Sequence, residues 1–349
     1  MIFYALDKNF NLAADGIPYT NMQWNRKYYE AGDFQAELPL YAYDDSWAYI
    51  GTRERSELGE IQKIQYSGEG DTKVLLTGFF CEKMLDDKVC FPEYSANEIN
   101  VETAFREIFN KYKKDLNITL GAANNPLLGG TTSLEFTDDE LGKKLYSILE
   151  TFELSYRVGF DYKTKKLRLD IWQGKDRTQS QKENAYQVFS TNFGNIANKT
   201  VDIDNSGYKN YAIIPIMDDG ETVGKDTLYL DWSNGGYKKE IVFDKRSEWP
   251  DEYTTDAQFK EQVLQQAAEE LLAYSIVEDV DLQLIDDTGY MVDYDLGDKC
   301  TCYLSDIGYL ADARIVEVRE VFKAPDGHTI TLGLGNKRIN NIRRAVMSR

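Results

Sequence analysis

The stretch VDYDLGDKCTCYL, Val292 to Leu304, places Asp293, Asp295 and Asp298 beside Gly297, Cys300 and Cys302. Carboxylates so spaced raise a calcium loop or an acid–base pair, and the two thiols raise a soft-metal site. With Asp293 as the first position of a calcium loop, Asp295 falls correctly at the third. Gly297 then occupies the fifth position, where Asp or Asn should ligate, and Asp298 the sixth, where glycine should turn. Leu304 stands at the twelfth, where Glu should close the site, so the loop fails at three defining positions. Cys300 and Cys302 would share one side of a strand. They lack the C-x-x-C spacing of a zinc knuckle and a second cluster, and with Cys81 and Cys90 they read as free, buried thiols. A turn at Gly297-Asp298 followed by an alternating strand accommodates the whole stretch.

Other chemistry is equally sparse. The single histidine, His328, follows the hairpin-turn pair Asp326-Gly327 and reads as a strand-start residue. Fifty-nine acidic residues offer many carboxylate pairs, and five tryptophans with 24 tyrosines offer a sugar platform. Aromatics at alternating strand positions are, however, ordinary core. The chain lacks G-x-S-x-G, H-E-x-x-H, G-x-x-x-x-G-K-[ST] and a helix-opening G-x-G-x-x-G. The glycine-rich loop Asn124–Ser133 lacks the lysine and strand of a phosphate cradle. No catalytic, cofactor-binding or metal-ligating residue emerges, and no cofactor is expected.

Length and composition bound the rest. The 349 residues are enough for two or three domains, and abundant Tyr and Phe with only 7 Pro favour strands. A net charge of −19 works against binding a phosphate backbone. No apolar run is long enough to span a bilayer, and the N-terminus shows no signal-peptide pattern, so folding in a cytosol is expected.

Along the chain, the first ninety or so residues read as short strands. Phe34, Ala36 and Leu38 alternate with polar partners, and Glu60–Phe80 forms a hairpin candidate with its loop at Gly68–Asp71. The middle changes character. Val101, Ala104, Phe105, Ile108, Phe109 and Tyr112 make a helical stripe, and Leu141, Leu145, Ile148, Leu149 and Phe152 make another. Thr137-x-x-Glu140 reads as the second helix's capping box, and Ser155–Gly174 as a hairpin turning at Lys163–Lys166. Strands return near residue 205, interrupted by a helix over about 255–274 with a capping box at Thr255-x-x-Gln258. Residues 336–349 carry five basic side chains and no acid. They suit either a solvated terminal helix or docking onto an acidic neighbour, most simply another copy of this chain.

Two distant stretches share a pattern. Gly51 and Gly297 each lead into a strand, then an apolar-x-x-apolar strand (Ile61 and Ile64; Ile315 and Val318), a polar turn and an alternating strand ending at Gly78 or Gly333. Read as a duplication, this gives an α+β, mainly β chain: two related β-barrel domains with an α+β insert between them. The expected boundaries are 1–95, 96–203 (the insert), 204–335 with its inserted helix, and the basic tail 336–349.

Trp24–Leu40 (WNRKYYEAGDFQAELPL), Gly174–Thr178 (GKDRT), Val188–Ile196 (VFSTNFGNI), Tyr208–Ile214 (YKNYAII), Tyr294–Cys300 (YDLGDKC), Ala313–Phe322 (ARIVEVREVF) and Leu332–Gly335 (LGLG) occur in this order over about 300 residues. Together they resemble the baseplate-hub, or minor tail, protein family of long non-contractile phage tails; the basic tail falls outside the resemblance. The resemblance implies tube-type β-barrels and a homotrimer whose six barrels form a pseudo-sixfold ring, joining a sixfold tail tube to a threefold tip. It implies a structural protein of the virion tail tip, assembled in the cytoplasm of a bacterial host. Partners would be a distal tail protein ring, a tape-measure protein, and tip, receptor-binding or hydrolase proteins, with DNA only in transit. Because the sequence stops soon after the second barrel, any hydrolase is expected on a separate protein. An acidic bore would let DNA pass without sticking. The competing expectation is a carbohydrate-active protein, glycosidase or sugar-binding module, at a cell surface.

Overall fold

The computed structural model describes residues 1–68, 72–218, 222–247, 256–272, 274, 277–285, 289–325 and 327–335. The chain divides into two compact units, one comprising Met1–Lys199 and Asp281–Gly335, the other centred on Thr200–Val280.

The larger unit opens with β1 (Phe3–Leu6), β2 (Leu12–Asp15), β3 (Asn21–Lys27), β4 (Asp33–Pro39), β5 (Tyr49–Thr52), β6 (Leu58–Ser67) and β7 (Lys73–Phe80). In β3 and β4 every second residue is buried, as a strand with one wet face requires. Met22 pairs with Ala36 and Trp24 with Phe34 across the ladder, and these side chains meet Phe3, Ile50, Leu76 and Phe80 in one core. The Trp24 ring lies 4.6 Å from that of Phe80. Each such large side chain contributes on the order of 2 kcal/mol by leaving water. The predicted hairpin is β6 with β7, paired antiparallel from Gly59↔Phe80 to Ser67↔Lys73; Glu69–Asp71 of its loop lie outside the described residues.

The insert follows: β8 (Tyr94–Asn100), α1 (Val101–Tyr112), β9 (Ile118–Leu120), β10 (Thr131–Phe136), α2 (Leu141–Glu150), β11 (Ser155–Asp161) and β12 (Lys166–Trp172). Both predicted stripes face one core with Val158, Leu167 and Leu169, and Phe152 packs at its edge. Asn100 caps α1, accepting from the N–H groups of Glu102 and Thr103. The capping box predicted at Thr137 is corrected. The helix starts only after Glu140, because Asp138 takes a positive φ and the chain here pairs with Lys88–Cys90. Cys90 N–H donates to the Asp139 carbonyl, Asp138 N–H to that of Cys90, and Leu141 N–H to that of Lys88.

After the insert come β13 (Val188–Ser190) and β14 (Ile196–Asp204), and the chain passes into the smaller unit. There β15 (Tyr211–Asp218), β16 (Thr222–Asp231) and β17 (Glu240–Val242) form their own sheet in the order β16-β15-β17. Helix α3 (Asp256–Leu272) supplies the covering face. Phe259, Val263, Ala267 and Leu271 recur every four residues and pack on Ala212, Ile214 and Ile216. Thr255 of the expected capping box lies outside the described residues.

The remaining strands are β18 (Val277–Leu284), β19 (Lys299–Leu304), β20 (Tyr309–Lys323) and β21 (Gly327–Gly335). They complete a 13-stranded sheet in the order β14-β18-β21-β20-β3-β4-β7-β6-β5-β1-β2, with β19 pairing β20 and β13. Its two halves repeat one order: β3-β4-β7-β6-β5 and β14-β18-β21-β20-β19. The ladder irregularity after Ile61 in β6 recurs after Ile315 in β20. The molecule is therefore mainly β, as predicted. Its halves join edge to edge where β20 pairs antiparallel with β3, and the path ends at β14 and β2 without closing on itself among the described residues.

Candidate functional site

The three aspartates of Val292–Leu304 diverge. Asp293 is exposed on a turn and its N–H donates to the Gly289 carbonyl. Asp295 accepts from Arg26 Nη1 at 2.6 Å and from Leu296 N–H. Asp298, 5% exposed, accepts from Arg177 Nε at 2.6 Å, Lys175 N–H at 2.7 Å and Asp295 N–H at 3.1 Å.

Glycine makes the Asp298 contacts possible. Gly297 has φ +84°, which L side chains rarely adopt, and a Cβ there would strike the rings of Tyr28 and Trp172. A Cβ on Gly174 would fall inside the Gly297 carbonyl and the Asp298 amide. The two bare backbones cross, and exchange bonds follow: Lys299 N–H to the Lys175 carbonyl, Arg177 N–H to that of Lys299, and Gln187 N–H to that of Arg177. Strand β13 then lies parallel to β19, with Val188 opposite Thr301 and Ser190 opposite Tyr303. Thus three of the stretches singled out in the sequence, GKDRT, VFSTNFGNI and YDLGDKC, form one junction.

A second set of buried charges adjoins Asp295 and was not foreseen. Arg26 Nε donates to Glu57 at 2.7 Å and its Nη1 to the Tyr290 hydroxyl at 2.9 Å. Arg55 forms a bidentate pair with Glu320, one arm at 2.8 Å, and the Tyr290 hydroxyl donates to Glu320 at 3.4 Å. Burial alone would lower the Arg26 pKa, yet Glu57, Tyr290 and Asp295 raise it well above the ordinary value. Burial opposes ionisation of Glu320 too, but His328 and Arg55 hold it below the usual carboxylate range. His328 lies near the start of β21 as predicted, stacked on Phe322 at 4.4 Å with Nε2 3.3 Å from Glu320. Buried pairs of this kind orient strands, and breaking one partner is costly.

The thiols are equally quiet. All four cysteines are free and buried; burial pushes the Cys302 and Cys90 thiols up to about 11, and those of Cys81 and Cys300 higher. These are protonated sulfurs, the reverse of a metal-binding thiolate. Among the described residues no group of three or more His, Cys, Asp or Glu is placed to hold a metal. Two of the tryptophans considered for a sugar platform, Trp24 and Trp47, lie in the core. The glycine-rich loop closes over a side chain of α1 rather than over a phosphate. Glu102, fully buried, accepts from the N–H groups of Asn124 and Leu128 and pairs with Arg106; burial pushes its pKa up, but these bonds together with the Asn124 side chain bring it below the ordinary carboxylate value. The arrangement holds segments in place and leaves its charges paired with one another.

The sequence matches the family model described as siphovirus ReqiPepy6 Gp37-like protein over residues 2–336. This chain belongs to that siphovirus protein family. Solved structures agree at the level of fold. A tail protein from Neisseria meningitidis MC58 superposes with a TM-score of 0.62 at 13% identity, covering 97% of each chain. The prophage tail protein gp18 from Listeria monocytogenes EGD-e gives 0.57 at 13% identity, covering 99% of this chain and 98% of that one. The 43 kDa tail protein of prophage MuSo2 from Shewanella oneidensis gives 0.60 at 9% identity, covering 97% and 99%. No curated protein sequence matches. In this chain the Arg177–Asp298 pair binds the segment that follows β12 to the turn leading into β19. No helix among the described residues is long and apolar enough to cross a membrane.

Proposed function

We propose that the chain is the baseplate hub of a siphovirus-type tail: a homotrimer at the tail tip that joins the sixfold tail tube to the threefold tip and forms part of the DNA channel. The carrying observation is the repeated strand order, β3-β4-β7-β6-β5 and β14-β18-β21-β20-β19, within one chain. Three copies supply six like modules, the number a sixfold tube presents, while the chain count matches a threefold tip. On this reading each half curls into a tube-type β-barrel, the first within the expected 1–95; the second draws β14 from the end of the expected insert 96–203 and its other strands from 204–335, and the helices of the insert stand outside the ring. Family membership supports a virion location, with the distal tail ring, tape-measure and tip proteins as neighbours and DNA as a passing cargo. The protein works by shape and charge without catalysis. Its net charge of −19 suits a bore that must not hold DNA.

Sedimentation of the purified chain tests the proposal. The expected particle has three times the 40.1 kDa chain mass. A plateau at two or four chains would rule out the threefold hub.

A further inference from the structure

The joint between the halves shows what lies against the outer edge of such a module. Along one edge of β20, Lys299–Leu304 of β19 pair with Tyr309–Arg314, and β3 pairs with Glu317–Lys323. The matching strand of the first half is β6. Its corresponding edge is taken by β5 along Leu58–Glu60, opposite Tyr49–Gly51, and the Ile61 N–H donates to Ala48. Beyond the shared ladder irregularity, Lys63–Ser67 pair only with β7, and no strand among the described residues occupies their other edge. Both faces of this segment are exposed, including Ile64 and Tyr66, whereas the equivalent Val318 of β20 is buried. Correspondingly, β3 has a counterpart in β14, which terminates the sheet with β18 as its one described neighbour and leaves Ile203 54% exposed.

We infer that the Lys63–Ser67 edge of β6 pairs antiparallel with β14 of a second copy of this chain, repeating between copies the β20–β3 joint within each one; the inference rests on the ring reading and names its contact. An unpaired edge carrying apolar side chains calls for a partner strand. The internal joint gives the register. Glu317 lies opposite Lys27, the last residue of β3, so Lys63 lies opposite Asp204, the last residue of β14. The oppositely charged pair recurs with its signs exchanged, Ile64 meets Ile203, and Tyr66 meets Val201. The contact is head-to-tail, so it leaves a free β14 on one copy and a free β6 on the next until the ring closes.

The test mixes two single variants, Ile64→Cys and Ile203→Cys, under mild oxidation; both sites are exposed and the four native cysteines are buried. Opposed residues in an antiparallel ladder lie about 4.5–5.5 Å apart, within disulfide reach. The mixture should give several-fold more cross-linked dimer than either variant alone, and more than Ile64→Cys mixed with Leu310→Cys, another exposed site. Equal yields overturn the pairing. A stable trimer without the 64–203 disulfide overturns the edge contact and keeps the ring. The disulfide in a protein that never exceeds one chain in mass keeps the contact and overturns the ring.

Discussion

Glu82 brings a carboxylate into the core: it is 5% exposed, its Oε1 accepts the Val158 N–H at 2.8 Å, and its Oε2 has no hydrogen-bond partner. Burial pushes its pKa up to about 7. A group that binds its proton more tightly folded than unfolded stabilises the fold fully below its unfolded value, here 4.5, and loses that contribution as pH rises through 7. Stability should therefore fall by about 3 kcal/mol between pH 4.5 and 7.5 from this group alone. Glu82→Gln keeps the acceptor and removes the charge. Urea midpoints should show the variant more stable than the parent at pH 8 and alike near pH 4.5; an unchanged pH slope would refute the assignment. Not every residue of this kind was hidden in the sequence. Arg26 stands in phase with Met22 and Trp24, and Glu320 with Val318 and Phe322, so alternation placed both charges on the inward face. What alternation does not contain is their partners, 31 and 265 residues away. Glu82 lies in a short helical turn with no periodicity to mark it.

At the scale of elements, the junction depends on backbones crossing at Gly174 and Gly297. Gly174→Ala would drive a methyl into fixed backbone rather than a movable side chain, so a loss of about 3 kcal/mol or more is expected. Denaturant titration would show it, and a variant as stable as the parent would mean that the strands part more easily than the geometry implies. The helices were legible because an apolar stripe at 3.6-residue spacing needs no tertiary information: all six stripe residues of α1 are buried. The boundary of α2 was not, because long-range pairing to Lys88–Cys90 outcompeted the local capping box at Thr137. The hairpins 58–80 and 155–172 followed from alternation around polar turns. That GKDRT and YDLGDKC touch was visible only as order along the chain, since 123 residues separate Lys175 from Asp298.

For the whole molecule, the duplicated glycine-led pattern was the informative signal, and the structure turned it into a repeated strand order. Periodicity could not reveal that one continuous sheet carries both halves, because the β20–β3 joint pairs residues nearly 300 positions apart. Nor did it separate β15–β17 and α3 into a sheet and core of their own, since those strands read like any others. The central claim is that the six halves of three chains alternate around an open bore. Cryo-electron microscopy of the assembled protein viewed down its axis tests it most directly. The hub reading predicts a ring of six similar lobes with threefold symmetry, the helical inserts outside and an acid-lined opening at the centre. A ring of any other order, or a closed particle without a bore, would contradict it.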